Sequence, residues 1–360
     1  MQIGIIGLPN STKTTIFSAL THENVQTQPF STGKFETQTA VVDVPDTRVE
    51  RLAGMFHPRK VTHAQVQYND IAGLDSGVSR SGGFSGALLN AIAVNDALLH
   101  VVRAFRDDGV PHIRGSVDPA RDLRDLDAEL ILSDLGTVER RMERLQRDLK
   151  RPGPAAEPAR VEQVLLLRLK DALESETPLR DLDLAPADEQ RVRGFGFLTL
   201  KPVLVVLNVG DDGPLDSPAI LPYPHRRSAL IALRGGIERE IAQMDTASAE
   251  MFLTEYGIRE PSLQRMIRLS YQLLGLQSFF TVGEDEVRAW TMPCGGTAVD
   301  AAGAIHTDLA RGFIRAEVVA YDDLEQAGSL AEARQRGLLR LEGRDYVVKD
   351  GDVMEIRFNV

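Results

Sequence analysis

Residues 1–22 read MQIGIIGLPNSTKTTIFSALTH, and the order of chemistry along them decides the fold. An apolar run, QIGII at 2–6, has the character of a core strand. It passes into the loop Gly7-Leu-Pro-Asn-Ser-Thr-Lys-Thr14 and then into an amphipathic helix. The spacing is that of a phosphate-cradling Walker A loop, which asks for Gly, four residues, then Gly-Lys-Ser/Thr. One position departs: Thr12 stands where the second Gly belongs. Asn10, Ser11, Thr12, Lys13, Thr14 and Thr15 are therefore the candidate nucleotide-binding residues. Backbone N–H groups and the helix N-terminus would hold the phosphates, with Lys13 neutralising charge and the Thr14 hydroxyl reaching Mg²⁺. Thr12 puts a β-branched side chain where glycine turns freely, so it either strains the loop or fills part of the phosphate nest.

A chain of 360 residues exceeds one ordinary core, and two or three domains are expected. Hydrophobic content of 43% and charged content of 26% are those of a globular protein. No apolar run approaches the roughly 18 residues that span a bilayer. The first strand lacks the basic flank of a signal peptide. The single cysteine, Cys294, excludes an internal disulfide framework and a cysteine-based metal site, and points to a reducing cytoplasm. A net charge of −11 argues against nucleic-acid binding by bulk electrostatics, and DNA is not an expected partner.

The first ~120 residues alternate apolar strands with helices, which predicts a doubly wound α/β sheet. Strands are expected at 2–6, 39–44, 64–70, 97–105, 202–207 and 228–233. Between them, Ile131, Leu135, Val138, Met142, Leu145 and Leu149 recur in steps of four and three, a coiled-coil seam. Arg151-Pro-Gly-Pro breaks it, and Val161, Leu165, Leu169 and Leu173 begin a second helix. An inserted antiparallel helical hairpin follows, either an arm for a partner or a bundle packed on its own domain. Residues 277–360 offer strands at 279–282, 287–291, 313–321 and 353–358 around a helix at 297–311, the pattern of a small ubiquitin-like α+β module. The domain limits so read are 1–122 with 194–275, 123–193, and 276–360.

Four more segments fall where a nucleotide-hydrolysing switch needs them. Thr32 lies in a polar loop from which a hydroxyl can complete the Mg²⁺ shell. Asp70-Ile-Ala-Gly73 ends a strand, so Asp70 can hold the metal through water and Gly73 can approach the γ-phosphate. Gly77-Val-Ser-Arg-Ser-Gly-Gly83 reads as a loop. Asn208-Val-Gly-Asp211 ends a buried strand, where the Asn208 amide can read a purine edge.

These motifs, with NDALLHVVRAF at 95–105, FLTLKPVL at 197–204 and AAGAIHTDLARGFIRAEVVAYDDL at 301–324, make the chain similar to the YchF (Obg-like ATPase) family. The resemblance runs nearly end to end and implies a nucleotide-binding domain, an inserted helical hairpin and a C-terminal TGS-like domain. It implies a slow Mg²⁺-dependent ATPase switch associated with ribosomes or another RNA–protein partner. Family members favour ATP because the base-reading Asn-Lys-x-Asp element is altered; here Val209 replaces its Lys. Asp211 keeps the spacing at which a carboxylate could read guanine, so GTP stays open beside ATP. After Asp-x-x-Gly comes Leu74, which cannot orient water, and the family points to a histidine after the VVRAF strand. His112 in Gly109-Val-Pro-His-Ile-Arg matches that position. Family members carry Asn-Val-Gly-Lys-Ser where this chain has Asn10-Ser-Thr-Lys-Thr14, and a Ser-Ala-Lys base loop where it has Arg234-Gly-Gly. The competing expectation is a degenerate, non-hydrolysing paralogue acting as a binding scaffold.

Overall fold

The computed structural model describes residues 1–21, 37–71, 84–149, 156–216, 220–256, 258 and 260–359. They fall into two compact units, Met1–Ala40 with Gln67–Met266, and Val41–Val66 with Ile267–Val360. Among the described residues no helix is long and apolar enough to cross a membrane.

In the first unit the chain runs β1 (Gln2–Ile6), α1 (Lys13–Thr21) and β2 (Thr37–Asp43). The next segment belongs to the second unit and carries α2 (Thr47–Phe56) and β3 (Lys60–Thr62). The first unit resumes with β4 (Gln65–Ile71), α3 (Gly86–Ala93) and β5 (Ala97–Arg103). Two long helices follow, α4 (Pro119–Leu149) and α5 (Ala156–Glu174), then the short α6 (Pro186–Val192). The sheet is completed by β6 (Val203–Asn208) and β7 (Ser228–Leu233), followed by α7 (Gly235–Gln243), α8 (Thr246–Glu255) and α9 (Ser262–Leu273), the last of which runs from the first unit into the second. Strand order is β2-β4-β1-β5-β6-β7, with β1 parallel to β4 and β5, and β6 parallel to β5 and β7. Strand order reverses direction at β1, and such a switch point is where doubly wound sheets bind ligands, at the carboxyl ends of the strands. β5 and β6 are buried throughout, as parallel strands covered on both faces must be.

The expected seam packs α4 against α5: Ile131, Val138 and Leu145 join Leu165, Leu166, Leu169 and Leu173 in one core with Phe197. Arg141 donates to both Glu162 oxygens at 2.6 and 2.7 Å, which fixes the antiparallel register. Val161 was expected in that seam and is instead 40% exposed. Steps of four residues overshoot the 3.6-residue turn by about 40° each, so Val161 and Leu173 cannot share a face. The base of the hairpin is tied to the sheet by Asp134, whose carboxylate accepts from Leu198 N at 2.9 Å, Thr199 N at 2.8 Å and the Thr199 hydroxyl at 2.7 Å. Beside it the buried Arg180 guanidinium donates to Tyr223, whose hydroxyl donates to Asp127 at 3.1 Å.

The second unit is a six-stranded mixed sheet ordered β11-β10-β12-β8-β9-β3, built from β8 (Leu276–Thr281), β9 (Glu286–Pro293), β10 (Phe313–Ala320), β11 (Arg340–Glu342) and β12 (Asp352–Phe358). Its helices are α10 (Ala298–Ile305), α11 (Thr307–Arg311), α12 (Tyr321–Ala327) and α13 (Leu330–Gln335). The single helix expected at 297–311 is two. His306 adopts an extended conformation (φ −162°, ψ 142°) and its Nδ1 accepts from Asp308 N at 3.2 Å, ending one helix and capping the next. A contribution from residues 41–66, which the sequence reading placed in the nucleotide-binding domain, was not anticipated. β3 pairs in parallel with β9 as an edge strand, and Arg48 on α2 bridges Asp46 and Asp350, each at 2.8 Å.

Burial raises the Asp134 carboxyl to about 6. A carboxyl with a raised folded value contributes stability that is full below its unfolded value near 4 and is lost as pH climbs through 6. Asp134→Ala leaves two backbone N–H groups unpaired and is expected to cost about 2–4 kcal/mol. The cost, read from urea unfolding midpoints, is expected to be larger at pH 4.5 than at pH 7.

Candidate functional site

The loop after β1 turns at Gly7 because nothing larger fits. A Cβ there would stand 2.5 Å from the Val101 carbonyl oxygen on β5 and 2.6 Å from Ser11 Oγ. The loop then closes on itself: Ser11 N donates to Leu8 O at 3.1 Å, and Thr15 N to Thr12 O at 3.0 Å as α1 begins. Lys13 reaches back over the loop, its Nζ donating to Gly7 O and Leu8 O at 2.9 Å each. The ammonium is thus held against the loop that the Walker spacing assigns to phosphates. Thr14 and Thr15 stand in the first turn of α1.

Two loop residues have backbones in the left-handed region, Asn10 at φ 59° and Thr12 at φ 72°. Asparagine tolerates this conformation; a β-branched threonine does so at a cost of about 1–3 kcal/mol. The left-handed backbone at Thr12 is the strain expected of a β-branched residue there. Its side chain points to the base-reading strand end: Asn208 Nδ2 donates to Thr12 Oγ1 at 2.5 Å, and that hydroxyl donates to Ser11 O.

The neighbouring strand ends bring three more residues to the same edge. Asp70, 6% exposed, ends β4 in register with Ile5 of β1. Arg103 ends β5 opposite Asn208 at the end of β6. Asn208 is buried, and its Oδ1 accepts from Gly235 N at 2.8 Å. Asp211 lies against Gly236, where an added Cβ would come within 2.8 Å of its Oδ1. Gly235 and Gly236 at the start of α7 therefore leave the space in which Asn208 and Asp211 sit. Val209, a candidate base contact, is instead 3% exposed and packed in the core, its N–H donating to Leu233 O. An apolar residue there follows the strand into the core where a lysine would have extended over the base. Thr32, Gly73 and residues 77–83 lie outside the described residues.

His112 is positioned by the loop after β5. Asn10 Nδ2 donates to Pro111 O at 3.3 Å, which brings this loop to the rim of the phosphate loop. The imidazole is held on both sides: Nδ1 accepts from Arg114 N at 3.2 Å, and Nε2 meets Asp122 in the first turn of α4 at 2.8 Å. Both nitrogens are engaged in this arrangement, so His112 must leave Asp122 to act on water. Sequence reasoning missed two supporting residues here, Asp122 and Arg103. Arg103 is buried and donates to the carbonyls of Phe105, Val110 and Asp107 at 3.0, 2.8 and 3.4 Å, shaping the loop. A cation closing an otherwise apolar run is the signal that could have found it. Beneath the nest, burial and then the charge of Lys13 lower His100 to about 3, so it adds no charge to the floor at neutral pH.

Residues 2–135 match a family model described as 50S ribosome-binding GTPase. Residues 276–359 match the YchF C-terminal model, described as a protein of unknown function (DUF933). The chain is 41% identical over 363 residues to the ribosome-binding ATPase YchF of Pasteurella multocida, covering all of this chain and 99% of that one. It is 41% identical over 367 residues to the protein of the same name from Bacillus subtilis, covering both chains completely. Among solved structures the Schizosaccharomyces pombe YchF GTPase superposes with a TM-score of 0.85 at 29% identity, covering 99% of this chain and 97% of that one. On two family models and full-length identity to curated relatives, the chain belongs to the YchF family.

Proposed function

We propose that the chain is a Mg²⁺-dependent purine-nucleotide hydrolase, favouring ATP, that works as a slow switch on ribosomes in the cytoplasm. The observation that carries this reading is the Lys13 ammonium lying across a loop only glycine can turn, bonded to Gly7 O and Leu8 O, with Asp70 near the end of the adjoining strand. The ribosome-binding ATPase names of its relatives support the partner and the base. Lys13 and the loop amides bind phosphates; Thr14, Thr32 and Asp70 offer the hard oxygen donors that Mg²⁺ prefers. When bound, the ion supplies neutralisation of phosphate charge. Asn208 reads the purine, Gly73 senses the γ-phosphate, and His112 orients water after exchanging Asp122 for it. In this reading residues 1–122 and 194–275 form the nucleotide-binding domain, 123–193 the helical arm and 276–360 the TGS-like domain.

GTP is the second reading for the base, favoured by Asp211. Its carboxylate makes no hydrogen bond among the described residues and, as an acceptor, suits guanine N1 and N2. Of six arginines that could form a basic face on the C-terminal module, Arg311, Arg334, Arg336 and Arg340 each pair with a carboxylate, while Arg315 and Arg344 have no carboxylate partner among the described residues.

Calorimetric titration with Mg-ATP and Mg-GTP tests the reading. Micromolar binding of one is expected, and absence of binding of both at a millimolar by folded protein would refute it, leaving the scaffold. Lys13→Ala is expected to weaken triphosphate binding by at least a hundredfold while leaving the unfolding midpoint near that of the native chain. His112→Ala is expected to lower kcat by about a hundredfold, the usual worth of a positioned base, with nucleotide Kd unchanged. A matched loss in Kd would remove His112 from the chemical step.

A further inference from the structure

The position before Lys13 carries a side chain whose contacts lead away from the phosphates. Gly235 N–H can only donate, so Asn208 Oδ1 must face it, and Nδ2 must face Thr12. The Thr12 hydroxyl accepts from that amide and donates its own hydrogen bond to the Ser11 carbonyl. The result is a directed chain from the base-reading strand end into the phosphate loop. It leaves one Nδ2 proton of Asn208 without an acceptor among the described residues. That proton belongs to a buried group fixed from two sides, which is what a specific donor to a ligand requires. A glycine at position 12 could fix only the Gly235 side. The strained backbone at φ 72° is thus accompanied by a contact that glycine could not make.

We propose that Thr12 is a positioning residue for base recognition: its hydroxyl orients the Asn208 amide so that the remaining N–H donates to an acceptor on the purine five-membered ring, N7. The inference rests on the nucleotide-binding reading and adds to it a role for the one loop residue that departs from the Walker pattern. N7 is common to adenine and guanine, so the effect is the same for either base. Thr12 therefore sets purine affinity without choosing between them.

The test compares ATP with 7-deaza-ATP, which lacks only the N7 acceptor, on the full chain with Mg²⁺. Native protein and Thr12→Ser, which keeps the hydroxyl, are expected to bind ATP about five- to tenfold more tightly than the analogue, the worth of one hydrogen bond. In Thr12→Val, which keeps the branched shape and loses the hydroxyl, the ratio is expected to fall to about one; Thr12→Ala serves if the valine variant does not fold. A ratio of one in the native chain, or an undiminished ratio in Thr12→Val, overturns the proposal while leaving nucleotide binding intact.

A measurement without ligand separates this from failure of the nucleotide reading itself. The Asn208 side-chain amide pair, identified in a ¹⁵N-edited spectrum by its loss in Asn208→Asp, is expected to shift in Thr12→Val and to stay in place in Thr12→Ser. If the native chain binds neither nucleotide, the hydrolase reading falls and this spectrum decides the Thr12 contact alone. An Asn208 signal indifferent to Thr12→Val overturns it.

Discussion

Everything at the carboxyl edge of the first sheet depends on the absence of a Cβ at Gly7. The Val101 carbonyl lies 2.5 Å from where that atom would be, so the chain leaving β1 can reverse only at a glycine. The reversal lets Lys13 lie across the loop and bond Gly7 O and Leu8 O, and it starts α1 at the point where strand order reverses. Asp70, Arg103 and Asn208 need no special design to converge on this place. They are the last residues, or nearly the last, of parallel strands in register with β1 and β5. Parallel pairing delivers strand ends to one edge, and side chains there acquire chemistry from their neighbours.

Polar burial then does what apolar packing cannot. The long hairpin has its own hydrophobic seam, which would let it slide or rotate on the sheet. Asp134 removes that freedom by accepting three hydrogen bonds from Leu198 and Thr199, immediately before β6. Such a network is costly when partly satisfied and directional when complete, so it specifies one seating of the arm. The same logic operates on a smaller scale at Asn208, where two fixed contacts leave a single orientation for the amide.

Much of this was legible in the chain. Continuous apolar runs marked β1, β5 and β6 within a residue or two, because strands covered on both faces write their burial directly into composition. The Walker spacing located the nest and Lys13. What could not be read were directions and distant partners. A threonine at position 12 announces strain, yet only the fold shows its hydroxyl turned to Asn208. His112 reads as a loop histidine, and its clasp by Asp122 depends on how α4 starts. β3, three residues long, has too few positions to show a period, and its partner β9 lies far along the sequence.

That last pairing has a consequence for how the protein comes to be folded. The second unit is assembled from Val41–Val66 and Ile267–Val360, segments roughly 200 residues apart in the chain. During synthesis the early segment emerges with the exposed edge of β3 and the apolar face of α2, and their partners are made last. Until β9 arrives, the strand waits unpaired, a template for any other extended chain. Folding of this unit therefore waits on segments made roughly 200 residues later, and a truncation of the C-terminal segment would strip the early segment as well as remove its own residues.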